Sequence, residues 1–343
     1  MTQRVTIQDI ARESHASPAT VSLVLRDKPG ISGETRKRVL ATASALGYRP
    51  RGNGAEPPRS TRNIGLVLRA RSRSIDRQLP EVNAFYSLVT AGIEAAARDE
   101  RMNLLYATLP VDDNNQPLGL PDHLLRQRLD GVLLIGSLEA ETISASAARA
   151  GSPVVLIDAP AGPHEFDAVV SDNAGGTFDA ITYLVARGHR QIGLVSPDPR
   201  YDLNFAQRRA GYLRALSAHG LHDRWFPIPA DGVAAGTVDL LRRHPDVTAL
   251  VGCNDRATLD AMRAVQRAGY RVPEDISLIG FDDIDQAAGA SPALTTMAVD
   301  KVSMGRLGVQ TLSHRLTWPD SARIMTLLRT RLIERASVSA RGG

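Results

Sequence analysis

Small, hydroxyl-bearing and apolar side chains are combined along residues 17–26 in a way that suits contact with DNA. At helical spacing, Val21 and Val24 lie on one side of this segment. The opposite side carries Pro18, Ala19, Ser22, Leu23 and Arg26. A leucine beside an alanine is unusual on a helix face in water, but both side chains can contact thymine methyl groups in a major groove. Because the hydroxyls of Thr20 and Ser22 can also donate to phosphates, the segment predicts a helix that fits duplex DNA.

Capping signals place this helix behind another one. Thr6 is expected to cap a first helix, with Asp9 at the third helical position completing a capping box. Ser17 is expected to cap the second helix, and Pro18 occupies its first position, where a missing N–H does no harm. Only a short turn at 15–16 separates the two helices, so we predict a helix-turn-helix.

A third helix is predicted from Ser32, and its first turn adds groups that can bind phosphate. The free amides from Ser32 to Thr35 can donate to a phosphate oxygen, and Arg36 adds positive charge beside them. The alternative is a small three-helix module that docks on the rest of its own chain.

Charge favours the nucleic-acid interpretation. Residues 1–62 contain eleven basic and five acidic side chains, a net charge of +6, whereas the remaining 281 residues contain 30 basic and 32 acidic ones. A basic end on a nearly neutral body indicates a polyanionic partner for that end alone. Docking on the chain's own body would leave this local charge unexplained.

Length and composition bound the class of protein. The chain has 343 residues, of which 43% are hydrophobic and 23% charged, values typical of a globular protein with two or three domains. No apolar run approaches the roughly 20 residues of a transmembrane helix, and the N-terminus lacks the apolar stretch of a secretory signal. Cys253 is the only cysteine, so no intrachain disulfide can form. We expect a cytoplasmic protein without a membrane partner.

Beyond residue 62 the sequence alternates between strand and helix patterns. Short apolar runs predict strands at 64–68, 104–107, 131–135, 154–158, 191–196 and 277–281. Amphipathic stretches predict helices at 88–100, 175–187 and 257–268. The alternation predicts an α/β body with doubly wound parallel sheets, in which ligands bind at the carboxyl ends of strands.

Two other functional classes are possible for an α/β body of this kind: a small-molecule enzyme and a solute-binding protein without a DNA role. The chain has no nucleophile elbow, phosphate loop or dinucleotide fingerprint. His219 and His222 stand three apart, but no nearby cysteine or carboxylate cluster completes a metal site. A transport-type binding protein would need export. We therefore expect a protein that is not an enzyme and has no cofactor, with these two classes as the alternatives.

The stretch "VTIQDIARESHASPATVSLVLRDKPGISGETRKRVLATASALGYRP" resembles the DNA-binding headpiece of the LacI/GalR family of bacterial transcription regulators. Its signature consists of Val5-Thr6-Ile7, Thr20-Val21-Ser22 and Leu46-Gly47-Tyr48-Arg49-Pro50. The likeness continues in the family's order through the body, for example in "DGVLLIGS", "SPVVLIDAP" and "SPALTTMAVDKVSMG".

This resemblance implies a domain organisation. Residues 1–50 would be a helix-turn-helix headpiece, 51–62 a linker or hinge, and 63–343 an effector-binding and dimerisation domain. In the family that domain has two lobes, as in periplasmic sugar-binding proteins, and the chain crosses between them three times. The lobes are expected at about 63–160 plus 292–324 and at about 161–291 plus 325–340.

The resemblance also implies roles for individual residues. Ser17, Thr20 and Ser22 would hold the DNA backbone, and Pro18, Ala19 and Leu23 would occupy the positions of base readers. The other expected DNA-binding residues are Thr6, Arg26, Thr35 and Arg36. The expected effector-binding residues are Phe85, Tyr86, Asp158, Arg208, Asn254 and Asp282. Carboxylate and amide groups can pair with the vicinal hydroxyls of a sugar, although each could instead cap a helix or turn locally.

Two segments depart from the family pattern. The linker at 51–60 is rich in glycine and proline and lacks the leucine that the family wedges into a minor groove. The loop at 69–87 contains four arginines, which predict either a solvated loop or an anion site. In the second case the effector would be acidic or phosphorylated. The four are Arg69, Arg71, Arg73 and Arg77.

The sequence therefore predicts a DNA-binding transcription regulator, most simply a repressor. Its expected partners are a pseudo-palindromic double-stranded operator and a small effector that is a sugar or a sugar derivative. The family resemblance further implies a homodimer, or a tetramer, of this chain.

Overall fold

A computed structural model shows two compact units, Met1–Ser60 and Thr61–Gly343. The structure describes residues 5–25, 31–46, 61–71, 83–112, 115–159, 166–198, 202–225, 228 and 232–341. The predicted hinge at 51–60 and Arg26 lie outside these residues.

The N-terminal unit is a bundle of three helices, α1 (Ile7–Glu13), α2 (Pro18–Leu25) and α3 (Gly33–Ala45). Their facing sides enclose a small apolar cluster formed by Ile10, Ala11, Val21, Val24, Val39 and Ala43. The guanidinium of Arg38 donates to the carbonyl of Ser14 at 3.0 Å, which ties α3 to the turn between the first two helices. The predicted helix-turn-helix is confirmed.

The predicted caps are also present. The amide and the hydroxyl of Thr6 donate to the Asp9 carboxylate at 2.8 and 2.6 Å, and the Asp9 amide donates back to the Thr6 hydroxyl. The Ser17 hydroxyl accepts from the Thr20 amide at 3.0 Å, which caps α2. These bonds satisfy amides that a helix start would otherwise leave free.

The larger unit contains eleven strands within the described part of the chain. They are β1 (Arg62–Arg71), β2 (Met102–Val111), β3 (Gly131–Ile135), β4 (Val154–Ile157), β5 (Asp167–Ser171), β6 (Ile192–Val195), β7 (Ala249–Gly252), β8 (Ser277–Asp282), β9 (Thr295–Ala298), β10 (Met325–Leu328) and β11 (Arg331–Ile333). The helices that connect or cover them are α4 (Asn83–Asp99), α5 (Asp122–Leu125), α6 (Ala140–Ala150), α7 (Asn173–Ala186), α8 (Leu203–His219), α9 (Val233–Arg243), α10 (Asp255–Arg267), α11 (Asp285–Ala288) and α12 (Lys301–Thr317).

The strands form two sheets, one in each lobe. The first sheet has the order β10-β5-β4-β3-β1-β2 and is parallel throughout. The second has the order β11-β9-β8-β7-β6 and is parallel except at β11, which runs antiparallel to β9. Strands β3 to β7 are buried at every residue, as expected for parallel strands covered on both faces. The predicted doubly wound α/β body is confirmed.

The predicted lobe boundaries are wrong by several residues at each crossing. Strands β5 and β10 belong to the first sheet, although the boundaries placed them in the second lobe, and β9 belongs to the second sheet. The chain therefore crosses after β5, after β9 and after β10. The reason is that β5 extends the ladder of β4 as its next neighbour, with Val155 opposite Asp167. Such pairing is a long-range property that a short apolar run does not reveal.

Two glycines allow α4 and α12 to pack closely in the first lobe. A Cβ on Gly92 would lie 2.1 Å from the carbonyl oxygen of Val302, and one on Gly305 would lie 2.0 Å from that of Val89. Neither site has room for a larger residue. Among the described helices, none is long and apolar enough to span a membrane.

A buried ion pair fixes the segment between α12 and β10. Arg315 on α12 donates from Nε and Nη2 to the two carboxylate oxygens of Asp167 at 2.8 and 2.9 Å. Both side chains are at most 2% exposed. Burial would raise the pKa of Asp167, but hydrogen bonds from Arg315 and the Ile324 amide, with the charge of Arg323, hold it below its ordinary value. The pair therefore holds the segment that leads into β10.

Substitution Asp167→Asn should lower the free energy of unfolding of the larger unit by about 3–5 kcal/mol, because it leaves the buried Arg315 charge without a counterion. Thermal and chemical denaturation followed by circular dichroism measure the effect. The exposed Asp239→Asn, which removes only a surface pair with Arg242, should change stability by less than about 1 kcal/mol. Equal effects of the two substitutions would contradict this account.

Candidate functional site

The outer face of α2, defined here as Pro18, Ala19, Ser22 and Leu23, is open to solvent. Pro18, Ala19 and Leu23 are exposed, Leu23 at 41%, and Ser22 is half-buried. On the opposite side of the same helix, Val21 and Val24 are almost completely buried. The face predicted from helical spacing is therefore present, and the described part of the unit leaves it open to solvent.

Hydroxyl groups mark the starts of α2 and α3. Ser17 Oγ lies 2.8 Å from Thr20 Oγ1, and the Ser32 hydroxyl donates to Thr35 Oγ1 at 2.9 Å. Amides at a helix start carry partial positive charge, so each of these ends suits a phosphate. Thr6 is different, because its hydroxyl donates its hydrogen to the carboxylate of Asp9. The structure therefore assigns Thr6 a clear structural role as a cap.

In the larger unit, Arg208 on α8 is the most connected of the predicted effector residues. Its Nε donates to Asn173 Oδ1 at 2.8 Å, its Nη1 donates to the carbonyl of Cys253, and its Nη2 donates to Asp282 Oδ1 at 3.2 Å. The guanidinium carbon lies 3.8 Å from the centroid of the Phe281 ring. Arg208 is only 5% exposed, so its charge is buried but well compensated.

Asp282 ends β8 in a strained conformation that Lys301 supports. Asp282 and Asp283 have φ angles of 110° and 55°, in a region that costs a residue other than glycine about 1–3 kcal/mol. The ammonium of Lys301 donates to the carbonyls of Asp282, Asp283 and Val299 at 2.5, 2.9 and 3.2 Å. Burial raises the pKa of Asp282, while the charges of Arg208 and Lys301 oppose the increase. Lys301 thus holds the turn that presents this carboxylate.

Asp158 follows β4 in the first lobe and also has a positive φ, 54°. Its Oδ2 accepts from the Tyr86 hydroxyl at 2.9 Å, and Phe85 packs edge-on against the Tyr86 ring. Burial raises the pKa of Asp158 to about 7, since the lowering effect of Arg208 is offset by the negative charges of Asp282 and Asp202. Asp158 is therefore a buried carboxyl group whose pKa lies near neutral pH.

The two lobes meet at the first turn of α8. The Asn204 amide group donates to the carbonyl of Asp158 at 2.9 Å, and the Leu203 backbone amide donates to Ser137 Oγ at 3.1 Å. Arg69, at the end of β1, places its Nη2 3.6 Å from Asp202 Oδ2. These contacts connect the cleft walls directly.

The structure brings Phe85, Tyr86, Asp158, Arg208 and Asp282 into one neighbourhood, through the contacts described above. Asn254 lies next to this group, because the preceding residue, Cys253, accepts from Arg208. Asn254 Oδ1 caps α10 by accepting from the Ala257 amide at 2.8 Å. Asn254 therefore has the local helix-capping role that was the alternative to effector binding.

Sequence analysis missed several polar residues of the cleft. Asn173 follows β5, a strand that was not predicted, and the buried position of Lys301 has no local sequence signal. Asp202 caps α8, so an aspartate two residues before an asparagine could have indicated this helix start. The missed residues are Asn173, Asp202, Asn204 and Lys301.

Of the four arginines at 69–77, only Arg69 has a side chain that the structure describes. Arg69 is half-buried and donates from Nη1 to Asn115 Oδ1 at 2.7 Å, so it is part of the cleft and not of a solvated loop. Arg73, Arg77 and the side chain of Arg71 lie outside the described residues. In the part of the chain that is described, no group of three or more histidine, cysteine, aspartate or glutamate side chains could hold a metal ion.

These features define a class of protein: a helix-turn-helix module with an open outer helix face, joined to a two-lobe body with a polar cleft at the strand ends. Residues 6–51 match the family model described as bacterial regulatory proteins, lacI family, and residues 181–338 match the periplasmic binding protein-like domain. The chain belongs to the LacI family of bacterial regulatory proteins.

Known relatives extend along almost the whole chain. The ribose operon repressor of Haemophilus influenzae is 30% identical over 325 residues, covering 92% of this chain and 93% of the relative. The transcriptional repressor CytR of Escherichia coli is 30% identical over 341 residues, covering 98% and 96%. Among solved structures, a complex of the regulator CelR with cellobiose matches with a TM-score of 0.69 at 26% identity, covering 97% of this chain and all of that one.

The raised pKa of Asp158 predicts a specific pH dependence of stability. The folded chain keeps a proton on Asp158 between about pH 4 and pH 7 that the unfolded chain releases. The resulting stabilisation is present below about pH 4 and is lost as the pH rises through 7. Asparagine does not ionise, so Asp158→Asn does not lose this stabilisation as the pH rises. The difference in melting temperature, variant minus wild type, should therefore be more positive at about pH 8 than at about pH 5.

The comparison with the wild type is needed because the pKa of Asp255 is also raised, by burial, to about 7. Thermal unfolding in matched buffers gives the difference, and Asp239→Asn serves as the exposed control. A difference for Asp158→Asn that stays the same at both pH values would contradict the buried, proton-binding state of this carboxyl.

Proposed function

We propose that this chain is a sequence-specific DNA-binding transcription repressor whose operator affinity is controlled by a small carbohydrate-like effector bound between its lobes. The observation that carries the proposal is the outer face of α2, where Pro18, Ala19 and Leu23 are exposed on a helix packed on its other side. Among the described residues of the unit, this apolar face has no packing role. A major groove lined by thymine methyl groups would give it one.

Contacts with DNA divide into two kinds. The hydroxyls and amides at the starts of α2 and α3, with Arg36, would bind phosphates and set the position of the unit on the duplex. Pro18, Ala19 and Leu23 would face the bases. Because these three side chains cannot hydrogen-bond to base edges, sequence preference would come from methyl contacts and from DNA shape. Arg26, which follows α2 in the sequence, would add a further contact.

Control would come from the cleft. Phe85, Tyr86, Asp158, Arg208, Asn254 and Asp282 form the proposed effector site. The names of two relatives, a ribose operon repressor and a regulator complexed with cellobiose, support a carbohydrate-like effector. Effector binding would change the closure of the lobes around α8, a coupling typically worth about 1–3 kcal/mol.

The assembly would be a homodimer, or a tetramer built from two dimers, acting in the cytoplasm on a pseudo-palindromic operator. Two copies of the helix-turn-helix would then enter the major groove about one helical turn apart. No catalytic step is part of the proposal, and the relatives that support it are named as regulators of transcription.

Selection from a pool of randomised duplexes tests this function. The full-length wild type should enrich a two-fold symmetric site, because a dimer presents two identical helices to the DNA. Leu23→Arg should still bind but should enrich a different half-site, since an arginine can donate two hydrogen bonds to a guanine. Sequencing of the retained duplexes measures both results.

Leu40 supplies the matched control. It is an exposed leucine on α3 of the same unit, at 48% exposure, and it lies outside the outer face of α2. Leu40→Arg adds the same charge and should enrich the wild-type half-site. Identical selected sites for Leu23→Arg and the wild type, or no enrichment at all, would contradict the proposed function.

A further inference from the structure

Strand β10 lies at one edge of the first sheet, and among the described residues only β5 pairs with it. The carbonyls of Ile324 and Leu328 accept hydrogen bonds from amides on the β5 side at 2.9 and 2.8 Å. Successive residues of a strand direct their backbone groups to alternate sides, so the amides and carbonyls of Met325 and Leu327 face the open edge. Such an edge is a template for a further strand.

The same two residues expose apolar side chains. Met325 is 54% exposed and Leu327 is 53% exposed. The residues that alternate with them are half-buried, and one of these, Leu328, packs against the main core of the body. Met325 and Leu327 therefore form an apolar pair on one face of an edge strand, and no described part of the chain covers it.

An arginine stands at each end of this apolar pair. The alternation of exposed and half-buried residues continues beyond the strand, so Arg323 and Arg329 flank the pair on its exposed side. Their side chains are 50% and 87% exposed. We call these two arginines, Met325, Leu327 and their open backbone groups the β10 edge surface.

The positive charge of the β10 edge surface is only weakly compensated. Arg323 Nη1 lies 3.8 Å from Asp167 Oδ2, but both oxygens of that carboxylate already accept hydrogen bonds from Arg315. Arg329 Nη1 lies 3.7 Å from Asp172 Oδ2, at a highly exposed position where an ion pair contributes little. An acidic group would therefore meet available positive charge at both ends of the surface.

A second copy of this chain does not suit the surface. If two β10 strands paired antiparallel about their centre, Arg323 of each strand would lie opposite Arg329 of the other. In-register parallel pairing would place each arginine beside its own counterpart. Like charges at directly opposite positions destabilise a sheet, so the arginines disfavour self-pairing and favour a partner of opposite charge.

We propose that the β10 edge surface binds an extended acidic segment of another protein, which adds a strand to the first sheet. The backbone groups of Met325 and Leu327 would pair with this segment, and its apolar residues would cover their side chains. Carboxylates near its two ends would meet Arg323 and Arg329. The surface shares no residue with the outer face of α2 or the proposed effector site, so the inference does not depend on the proposed function.

Binding of a synthetic probe to the full-length chain tests the proposal. The probe is a fluorescently labelled peptide, Asp-Thr-Val-Thr-Ile-Thr-Glu, whose acidic and apolar residues share one face when it is extended in either direction. Fluorescence anisotropy should show saturable binding. The same peptide with lysine at both ends should bind at least about tenfold more weakly, because its charges oppose the two arginines.

Two further probes test the backbone pairing on the wild type. Each is the acidic peptide with N-methyl groups on alternate residues, so that one probe blocks the amides that face β10 and the other blocks those that face away. One of the two should bind at least about tenfold more weakly than the other, since it cannot donate to the open edge. Equal affinities of the two probes would overturn the proposal.

Variants locate the binding surface. Leu327→Glu should weaken binding of the acidic probe by about tenfold or more, because it removes an apolar contact and adds a like charge. Leu118→Glu changes an exposed leucine outside β10, at 58% exposure, and should bind like the wild type. Arg329→Glu should reduce the preference for acidic over lysine ends to less than about threefold. Arg98→Glu, at an exposed position on α4, makes the same change in net charge and should keep that preference.

Thermal melts show whether each variant is folded, and the N-methylated probes keep the test decisive if a variant unfolds. Sedimentation of the chain without peptide tests the other occupant, and the wild type and Leu327→Glu should have the same oligomeric state. Absence of binding by the acidic probe, or wild-type binding by folded Leu327→Glu, would overturn the proposal. Self-association that Leu327→Glu abolishes would also overturn it, in favour of a second copy.

Discussion

The buried guanidinium of Arg208 is the interaction on which the cleft depends. It connects Asn173 after the first crossing, the Cys253 carbonyl after β7 and the Asp282 carboxylate at the end of β8. A buried charge is tolerated only when such partners surround it, so these strand ends must keep their relative positions. The second-lobe wall is therefore complete before a ligand arrives. The first-lobe wall, where Asp158 has an unpaired oxygen, is not.

This asymmetry suggests how binding and regulation are linked. The first turn of α8 belongs to the completed wall and also contacts the incomplete one through Asn204 and Leu203. A ligand that satisfies the first-lobe wall would change the balance of these contacts, and interfaces of this kind switch between discrete arrangements. The N-terminal unit is stabilised in a different way. Its capped helices need only a small apolar cluster, which leaves the outer face of α2 for a partner.

The sequence predicted best what local rules determine. Features that depend on spacing and on neighbouring residues were placed correctly. They are the caps at Thr6 and Ser17, the inward valines of α2 and strand β3. Strand β5 was missed because its position follows from pairing with β4. Arg69 was predicted only within a group of four arginines, because burial of one among them depends on Asn115 and Asp202, which are distant in the sequence. The family resemblance supplied Arg208 and Asp282, but not the groups that hold them.

The central claim is that the outer face of α2 enters the major groove, and site-specific photo-crosslinking tests it most directly. A photoreactive phenylalanine analogue in place of Ala19, in the full-length chain bound to its selected duplex, should crosslink to bases near the middle of each half-site. The same analogue in place of Gln8, an exposed residue of α1, should give no base crosslinks. Intact binding with crosslinks from position 8 and none from position 19 would contradict the account.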